Sequence, residues 1–181
     1  MKKTLLIALL AVAASPFAAQ AADNYAGVTV GRTEHKLSAM GASLDDTGTG
    51  VKLFGGHQFT PMFGIEGGVA FLGEGTVGSG VNTLTGKPRA LYVAATGTWP
   101  VSPAFAITAK AGITHNRTKF TGGGASDSDN VNSALIGVGV AYKLNANVSL
   151  VAEYENFGKV AKDQGVSLKS DMLSAGVRFN F

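Results

Sequence analysis

The chain contains no cysteine and only five prolines among its 181 residues. Without cysteine, a disulfide framework, thiol catalysis and cysteine-ligated metals are excluded. Charged residues make up only 15% of the chain, and lysine and arginine form no cluster with interleaved aromatics, which excludes the usual footprint of a nucleic-acid-binding protein. Beyond the N-terminal segment, no apolar run approaches the roughly 20 residues that a membrane-spanning helix needs. The class of the fold therefore has to come from the periodicity of the remaining residues.

The N-terminal segment has the pattern of an export signal. Two lysines precede an apolar stretch of about ten residues, and residues 19–21 form a small-x-small cleavage site. A membrane-anchoring helix is the alternative, but Pro16 ends the apolar stretch too early for a span. We therefore predict a cleaved signal peptide at residues 1–21 and one mature domain at residues 22–181, which is close to neutral once the two lysines are removed.

Alternation with a period of two residues dominates the mature domain. Bulky apolar side chains alternate with small or charged ones at residues 63–71, 105–114, 136–144 and 173–181. Because successive side chains of a β-strand point to opposite faces, this pattern predicts strands. The 25 glycines also disfavour helices. Eight strands are expected, at residues 24–33, 48–58, 63–72, 89–99, 104–115, 133–143, 148–157 and 169–181.

The connections between these strands alternate between short and long. Tight turns are expected at residues 60–62, 100–103 and 145–147, and long polar loops at residues 34–47, 73–88, 116–132 and 158–168. Barrels of the bacterial outer membrane have short turns on the periplasmic side and long loops on the extracellular side. We therefore predict an all-β fold, an eight-stranded antiparallel up-and-down transmembrane β-barrel.

The two faces of the strands differ in chemistry. One face is bulky and apolar, while the other is mostly glycine, alanine, serine and threonine with a few charges. An eight-stranded barrel is just wide enough to be filled by side chains, so the small and charged face is expected inside and the apolar face toward lipid. A lipocalin-like soluble barrel, with the faces reversed, is the less favoured alternative. The predicted interior charge network consists of Lys52, Glu66, Lys110, Lys143, Glu153, Glu155 and Arg178.

Three segments resemble the OmpA-like transmembrane barrel family. Residues 54–66 are similar to its second hairpin, and residues 151–154 and 172–179 to its last two strands. The resemblance covers nearly all of the mature domain and implies a bacterial outer-membrane location. Phe179 and Phe181 resemble the C-terminal signal that the barrel assembly machinery reads, which implies that machinery and periplasmic chaperones as partners. The peptidoglycan-binding domain of larger family members is not expected after Phe181.

The resemblance also bears on the interior charges, because the family has a salt-bridge network proposed to gate a narrow pore. Glu66 and Glu153 match its two acidic members, whereas Thr96 stands at the position of its strand-four lysine. No clear equivalent of its strand-eight arginine is found. Lys52, Lys110 and Arg178 are the alternative partners for the two glutamates.

A non-enzymatic outer-membrane protein, with extracellular loops for adhesion or envelope integrity, is the first functional prediction. A narrow diffusion pore, gated by the interior charges, is the alternative. A lipid A deacylase is disfavoured, because that family has a serine two residues after its histidine and Arg117 follows His115 here. No cofactor, metal site or nucleic-acid partner is expected. The expected partners are outer-membrane lipid, lipopolysaccharide and a loop-bound ligand, with the chain as a monomer.

Overall fold

The computed structural model describes residues 24–39, 42–73, 75–77, 84–122, 125–163 and 166–181. The predicted signal peptide lies outside these residues. Within them, no helix is long and apolar enough to cross a membrane. The strands are β1 (Asn24–Ala39), β2 (Ala42–Gln58), β3 (Phe63–Phe71), β4 (Gly75–Val77), β5 (Leu84–Pro100), β6 (Phe105–Gly122), β7 (Ala125–Lys143), β8 (Val148–Asp163) and β9 (Val166–Asn180).

Eight of these strands form one closed sheet. Neighbours in the sequence pair antiparallel, β3 pairs with β5, and β1 pairs with β9 along its length, from Tyr25 opposite Asn180 to Ser38 opposite Ser167. The short β4 pairs with the beginning of β5, on the same edge of β5 that β3 occupies farther along, so it extends the position of β3 in the sheet. The prediction of an eight-stranded antiparallel up-and-down barrel is confirmed.

The predicted strand ends are accurate on one side of the barrel and too short on the other. At the tight turns, the observed ends agree with the predicted ones to within one residue. On the opposite side, most of residues 34–47, 116–132 and 158–168 continue the ladders, so the prediction of long loops there was wrong. Polar residues occupy both faces of these extensions, so they lack the alternation that marks a strand, although their backbone groups still pair.

The tight turns are capped by the side chains within them. The hydroxyl of Thr60 accepts hydrogen bonds from the backbone of Met62 and Phe63, at 3.3 and 2.9 Å. In the third turn, Asn145 accepts from Asn147 and Val148, both at 2.9 Å. Such side-chain bonds stand in for ladder bonds where the chain reverses. The turns therefore hold neighbouring strands in register at this rim of the barrel.

An apolar band surrounds the outer surface of the barrel. Leu91 is 62% and Ile113 is 66% exposed, while Ala90, Tyr92 and Thr114 beside them point inward and are buried. Outward-facing charges begin farther from the tight turns, at Arg32 on β1 and Arg89 on β5. Exposed aromatics lie close to the tight turns at Phe59, Phe63, Trp99, Phe105 and Tyr142. An apolar surface with aromatics at its edge is the arrangement of a membrane barrel.

Candidate functional site

Five charged side chains meet inside the barrel. Lys52 on β2 contacts Glu153 and lies 2.6 Å from Glu155 Oε2, both on β8. Lys110 on β6 lies 2.6 Å from Glu66 Oε1 on β3 and 2.8 Å from Glu153 Oε1. All five side chains are buried. A buried charge without a partner would be very costly, so these contacts are what makes the cluster tolerable inside the barrel.

Phenol groups and an aromatic ring complete this cluster. Tyr25 and Tyr92 donate hydrogen bonds to the carboxylate of Glu66, at 3.1 and 2.8 Å. The ring of Phe54 lies 5.0 Å from the Lys52 ammonium and 5.7 Å from that of Lys110. Three carboxylates share two ammonium groups, so the phenols supply donors that the lysines cannot. The cluster is a packed polar core contributed by β1, β2, β3, β5, β6 and β8.

Two of the seven predicted network residues lie apart from the cluster. Lys143 has the parity of an inward-facing residue. It is nevertheless exposed, because it is the last residue of β7 and lies at the barrel rim. Arg178 is half-buried, with its guanidinium 4.8 Å from the ring of Tyr25 and its Nε without a hydrogen bond. Neither touches Glu66 or Glu153 among the contacts of the described residues.

The position of Thr96 helps to explain why Lys110 is the lysine that pairs with Glu66. It lies directly opposite Lys110 in the ladder of β5 and β6. The OmpA-like family has its lysine at the position of Thr96 on β5. In this chain the ammonium group of Lys110 reaches the same part of the interior from the adjacent strand, β6. Lys110 is the partner of Glu66, and both Lys52 and Lys110 serve Glu153.

An apolar layer closes the interior between the charge cluster and the end of the barrel away from the tight turns. Its members are fully buried: Leu72, Leu135, Phe157, Val160 and Met172. The ring of Phe157 packs edge-to-face on that of Tyr92, with centroids 6.4 Å apart. Sequence reasoning missed this layer, although Leu135 and Met172 stand out of phase with the lipid-facing positions of their strands.

Little free space remains on the other side of the cluster. The space open to the centre of a water molecule there is about 20 Å³, and Glu66, Thr96, Lys110 and Arg178 are among the residues around it. About 10–15 Å³ by this measure is needed for one water. The described interior therefore has room here for roughly one water molecule and not for a column of them.

A serine–histidine pair lies beyond the apolar layer. His35 Nδ1 is 2.9 Å from Ser170 Oγ, and its Nε2 is 3.0 Å from the carbonyl oxygen of Leu72. A carbonyl only accepts, so Nε2 carries the proton and Nδ1 accepts from the serine hydroxyl. Both side chains are buried, on strands β1 and β9. The prediction that His35 lies in a loop was wrong, and the pair joins the end of β3 to the barrel wall.

The other two histidines lie on the exposed part of the barrel. His57 Nδ1 is 2.9 Å from Asn24 Oδ1 near the tight-turn rim. His115 Nδ1 is 2.7 Å from Asn132 Oδ1 on the outer surface. Arg117, two residues farther along β6, is also exposed.

Comparison with protein families agrees with this architecture. The model of the outer membrane protein beta-barrel domain matches residues 4–181. None of the curated proteins matches the chain.

Several solved structures share the fold. Ail, the attachment invasion locus protein of Yersinia pestis, determined in complex with the heparin analogue sucrose octasulfate, is 23% identical, with a TM-score of 0.57 over 87% of this chain and 99% of that one. Neisserial surface protein A is 22% identical, with a TM-score of 0.62 over 90% and 100% of the two chains. OprG from Pseudomonas aeruginosa is 13% identical, with a TM-score of 0.57 over 90% and 97%. At these identities the likeness concerns the fold alone.

Proposed function

The chain belongs to the outer membrane protein beta-barrel domain family, and on that premise we propose that it is a plugged, non-enzymatic barrel whose hairpins bind ligands outside the cell. It is an integral β-barrel protein of the bacterial outer membrane. Export through a signal peptide at residues 1–21, cleaved before residue 22, is part of the proposal. The proposal also includes assembly by the barrel assembly machinery, which would recognise Phe179 and Phe181 as the C-terminal signal.

The filled interior is the observation that carries this proposal. A salt-bridge cluster occupies the middle of the barrel, and a layer with Leu135, Phe157 and Met172 packs above it without exposed surface. A conducting path would need water along the whole axis, and apolar constrictions exclude water. The packing thus supports a closed barrel over the alternative, a narrow diffusion pore gated by the interior charges.

The histidine environments support a non-enzymatic role. Nucleophilic catalysis by serine needs a histidine base that a substrate can approach and that a third group orients. Ser170 and His35 are closed off inside the barrel, and a backbone carbonyl takes the orienting position. His115 bonds to an amide, and Arg117 stands where a deacylase has its serine.

The extended hairpins support a binding role on the extracellular side. β6 and β7 remain paired as far as Gly122 opposite Ala125, far beyond the lipid-facing residue Ile113. Ladder hydrogen bonds hold such a hairpin rigid, and rigid scaffolds that present variable tips are common binding surfaces. The complex of Ail with a heparin analogue indicates a polyanionic glycan as the first ligand to test here.

Conductance in a planar bilayer tests whether the barrel is closed. We expect the refolded mature protein to produce no discrete current steps, and Glu66→Ala to leave it silent, because the apolar layer stays in place. The gel shift on boiling in SDS verifies that each sample is folded. Discrete steps in the wild type whose size changes in Glu66→Ala would establish the pore instead.

Binding of proteoliposomes to heparin-coated beads tests the role of the hairpins. In the test variant, residues 119–128 are replaced by an Asn-Gly turn, which shortens the hairpin of β6 and β7 and keeps the barrel. We expect bead binding to fall at least fivefold. A variant with Asn145→Gly in a tight turn serves as the control. Equal binding by all three proteins would contradict a role for this hairpin.

A further inference from the structure

Two arginines face each other on the outer surface of the barrel. Arg89 on β5 and Arg117 on β6 are direct partners in the ladder, and both side chains are exposed. Their outer neighbours in the same row, Phe71 on β3 and Asn130 on β7, carry no charge. Like charges directly opposite each other destabilise a sheet. An anion bound between the two arginines would relieve this repulsion.

An apolar groove begins one row closer to the tight turns. It has a volume of about 680 Å³ and runs between β5, β6 and β7. Leu91 and Val93 form one wall, Ile113 lies in the middle, and Ala134 leaves room on the third strand. Rows on one face are two residues apart, about 7 Å along the strand. The arginine pair is therefore at the upper end of the groove.

We propose that this surface binds an anionic lipid, with a headgroup phosphate between Arg89 and Arg117 and an acyl chain in the groove. The guanidinium group suits this role because its planar donors engage phosphate in pairs. Arg89 is held over the ring of Phe71, 5.2 Å from its centroid, which limits its motion before binding. His115 and Asn132, at the top of the groove, can bond to the polar linkage between phosphate and chain.

Because the two arginines lie directly at the end of the apolar groove, the surface favours a lipid over a soluble polyanion. A lipid joins a phosphate to an acyl chain within one molecule, and the surface presents arginines and an apolar groove in that order. A sulfated glycan would engage the arginines and leave the groove unused. The proposal rests on the proposed function, since it requires the apolar band to lie in the membrane.

A second basic pair on the barrel provides a matched control. Lys159 and Lys169 are partners in the ladder of β8 and β9, and both are exposed. The next row toward the tight turns is polar, because Asn156 pairs with Asp171 there. Asp171 also lies 3.8 Å from Lys36. This pair has the same charge as the arginines but lacks an apolar groove beneath it.

Native mass spectrometry of the folded mature protein in detergent tests the site. The probe is diphosphoryl lipid A, compared with the same lipid without phosphates. We expect the wild type to bind the phosphorylated lipid at least tenfold more tightly than the phosphate-free one. Arg89→Gln with Arg117→Gln should remove most of that preference, while Lys159→Gln with Lys169→Gln should keep it. Ala134→Trp, which fills the groove, should weaken binding of both lipids.

Several outcomes would overturn the proposal. Equal losses in the arginine and lysine variants would mean nonspecific charge attraction. Unchanged binding in Ala134→Trp, together with displacement of the lipid by sucrose octasulfate, would mean a soluble-polyanion site. Displacement by millimolar inorganic phosphate alone would mean a phosphate site that does not recognise lipid. The gel shift verifies folding of each variant, and conductance tests the closed barrel separately, so the two proposals fail independently.

Discussion

Among the described residues, Glu66 is the interior carboxylate that accepts hydrogen bonds from the most side chains. Tyr25, Tyr92 and Lys110 donate to it from β1, β5 and β6. Each donor comes from a different strand, so the carboxylate on β3 joins two strands, β1 and β6, that are not adjacent to β3 in the sheet. At the scale of single residues, the interior is therefore stabilised by ion pairs in which each buried charge needs its partner.

Removing the charge of Lys110 tests this dependence. Lys110→Met leaves carboxylates buried without their cation, and breaking a buried pair from one side costs about 3–5 kcal/mol. The measurement is urea unfolding in vesicles, followed by the fluorescence of Trp99, the single tryptophan. Lys143→Met, at the exposed rim, should change stability by less than about 0.5 kcal/mol.

A double-mutant cycle identifies the partner. Glu66→Gln combined with Lys110→Met should cost clearly less than the sum of the two single changes, because each removes the charge that the other needs. Additive costs would show that Glu66 and Lys110 do not interact, whatever their distance.

The phenol of Tyr92 provides a milder test of the same cluster. Tyr92→Phe keeps the ring against Phe157 but removes one hydrogen bond to a carboxylate, which contributes about 1.5–3 kcal/mol. The same urea titration measures the loss. Tyr142→Phe, on the exposed surface, is the matched control, and an equal effect of both changes would contradict the assigned role of Tyr92.

At the scale of elements, β8 departs from regular pairing. Its register with β9 shifts between Asn156 and Lys159 and again before Ala161. Gly158, inside this bulge, has a φ of +64°. Asn116 on β6, two strands away in the sheet, donates across the interior to the carbonyl oxygens of Phe157 and Lys159, at 3.1 and 2.8 Å. The bulge reverses the alternation of β8, so that Lys159 points outward and Val160 joins the apolar layer, while Asn116 bonds the backbone groups that the bulge frees.

Glycine is required at the bulge. Gly158→Ala would impose a side chain on a left-handed backbone and place its Cβ 2.8 Å from that of Ser133, so we expect a loss of about 1–3 kcal/mol. Gly67→Ala on the outer face meets nothing closer than 3.5 Å and should be tolerated. Unfolding midpoints in urea compare the two variants. Equal midpoints would mean that the bulge adapts to a side chain.

The elements themselves were largely predictable from the sequence. Alternation located all eight barrel strands, and residues such as Pro61 and Asn145 marked the tight turns. The far ends were not predictable, because alternation depends on a lipid-facing apolar side that ends near Arg32 and Arg117. Beyond the membrane, backbone pairing continues without that pattern.

The candidate site was predictable only in part. Parity predicts which charges point inward, but their pairing depends on the stagger between strands. Lys110 meets Glu66 from two strands away in the sheet, whereas Lys143, with the same parity, lies at the rim. The apolar layer arises partly from the bulge in β8, which no periodicity reveals.

At the scale of the whole molecule, each of the eight barrel strands pairs with a neighbour on both sides in the part of the barrel near the tight turns. SDS therefore finds no open ladder from which to begin unfolding. We expect folded and boiled protein to migrate differently on a gel. Deletion of residues 166–181, which removes β9, should abolish the difference because the sheet cannot close. Identical migration of unheated and boiled full-length protein would contradict the membrane barrel.

The pairing of β1 with β9 sets the timing of folding. Asn24 and Phe181 exchange backbone hydrogen bonds at the rim, at 3.3 and 2.9 Å, although more than 150 residues separate them. Contacts between such distant residues form slowly, because a long loop must close first. The first strand of the barrel thus keeps one side unsatisfied until the last strand arrives. Until then, the unpaired edge of β1 can form hydrogen bonds with other unfolded chains and promote aggregation. Pairing with β9 closes the barrel and removes that edge.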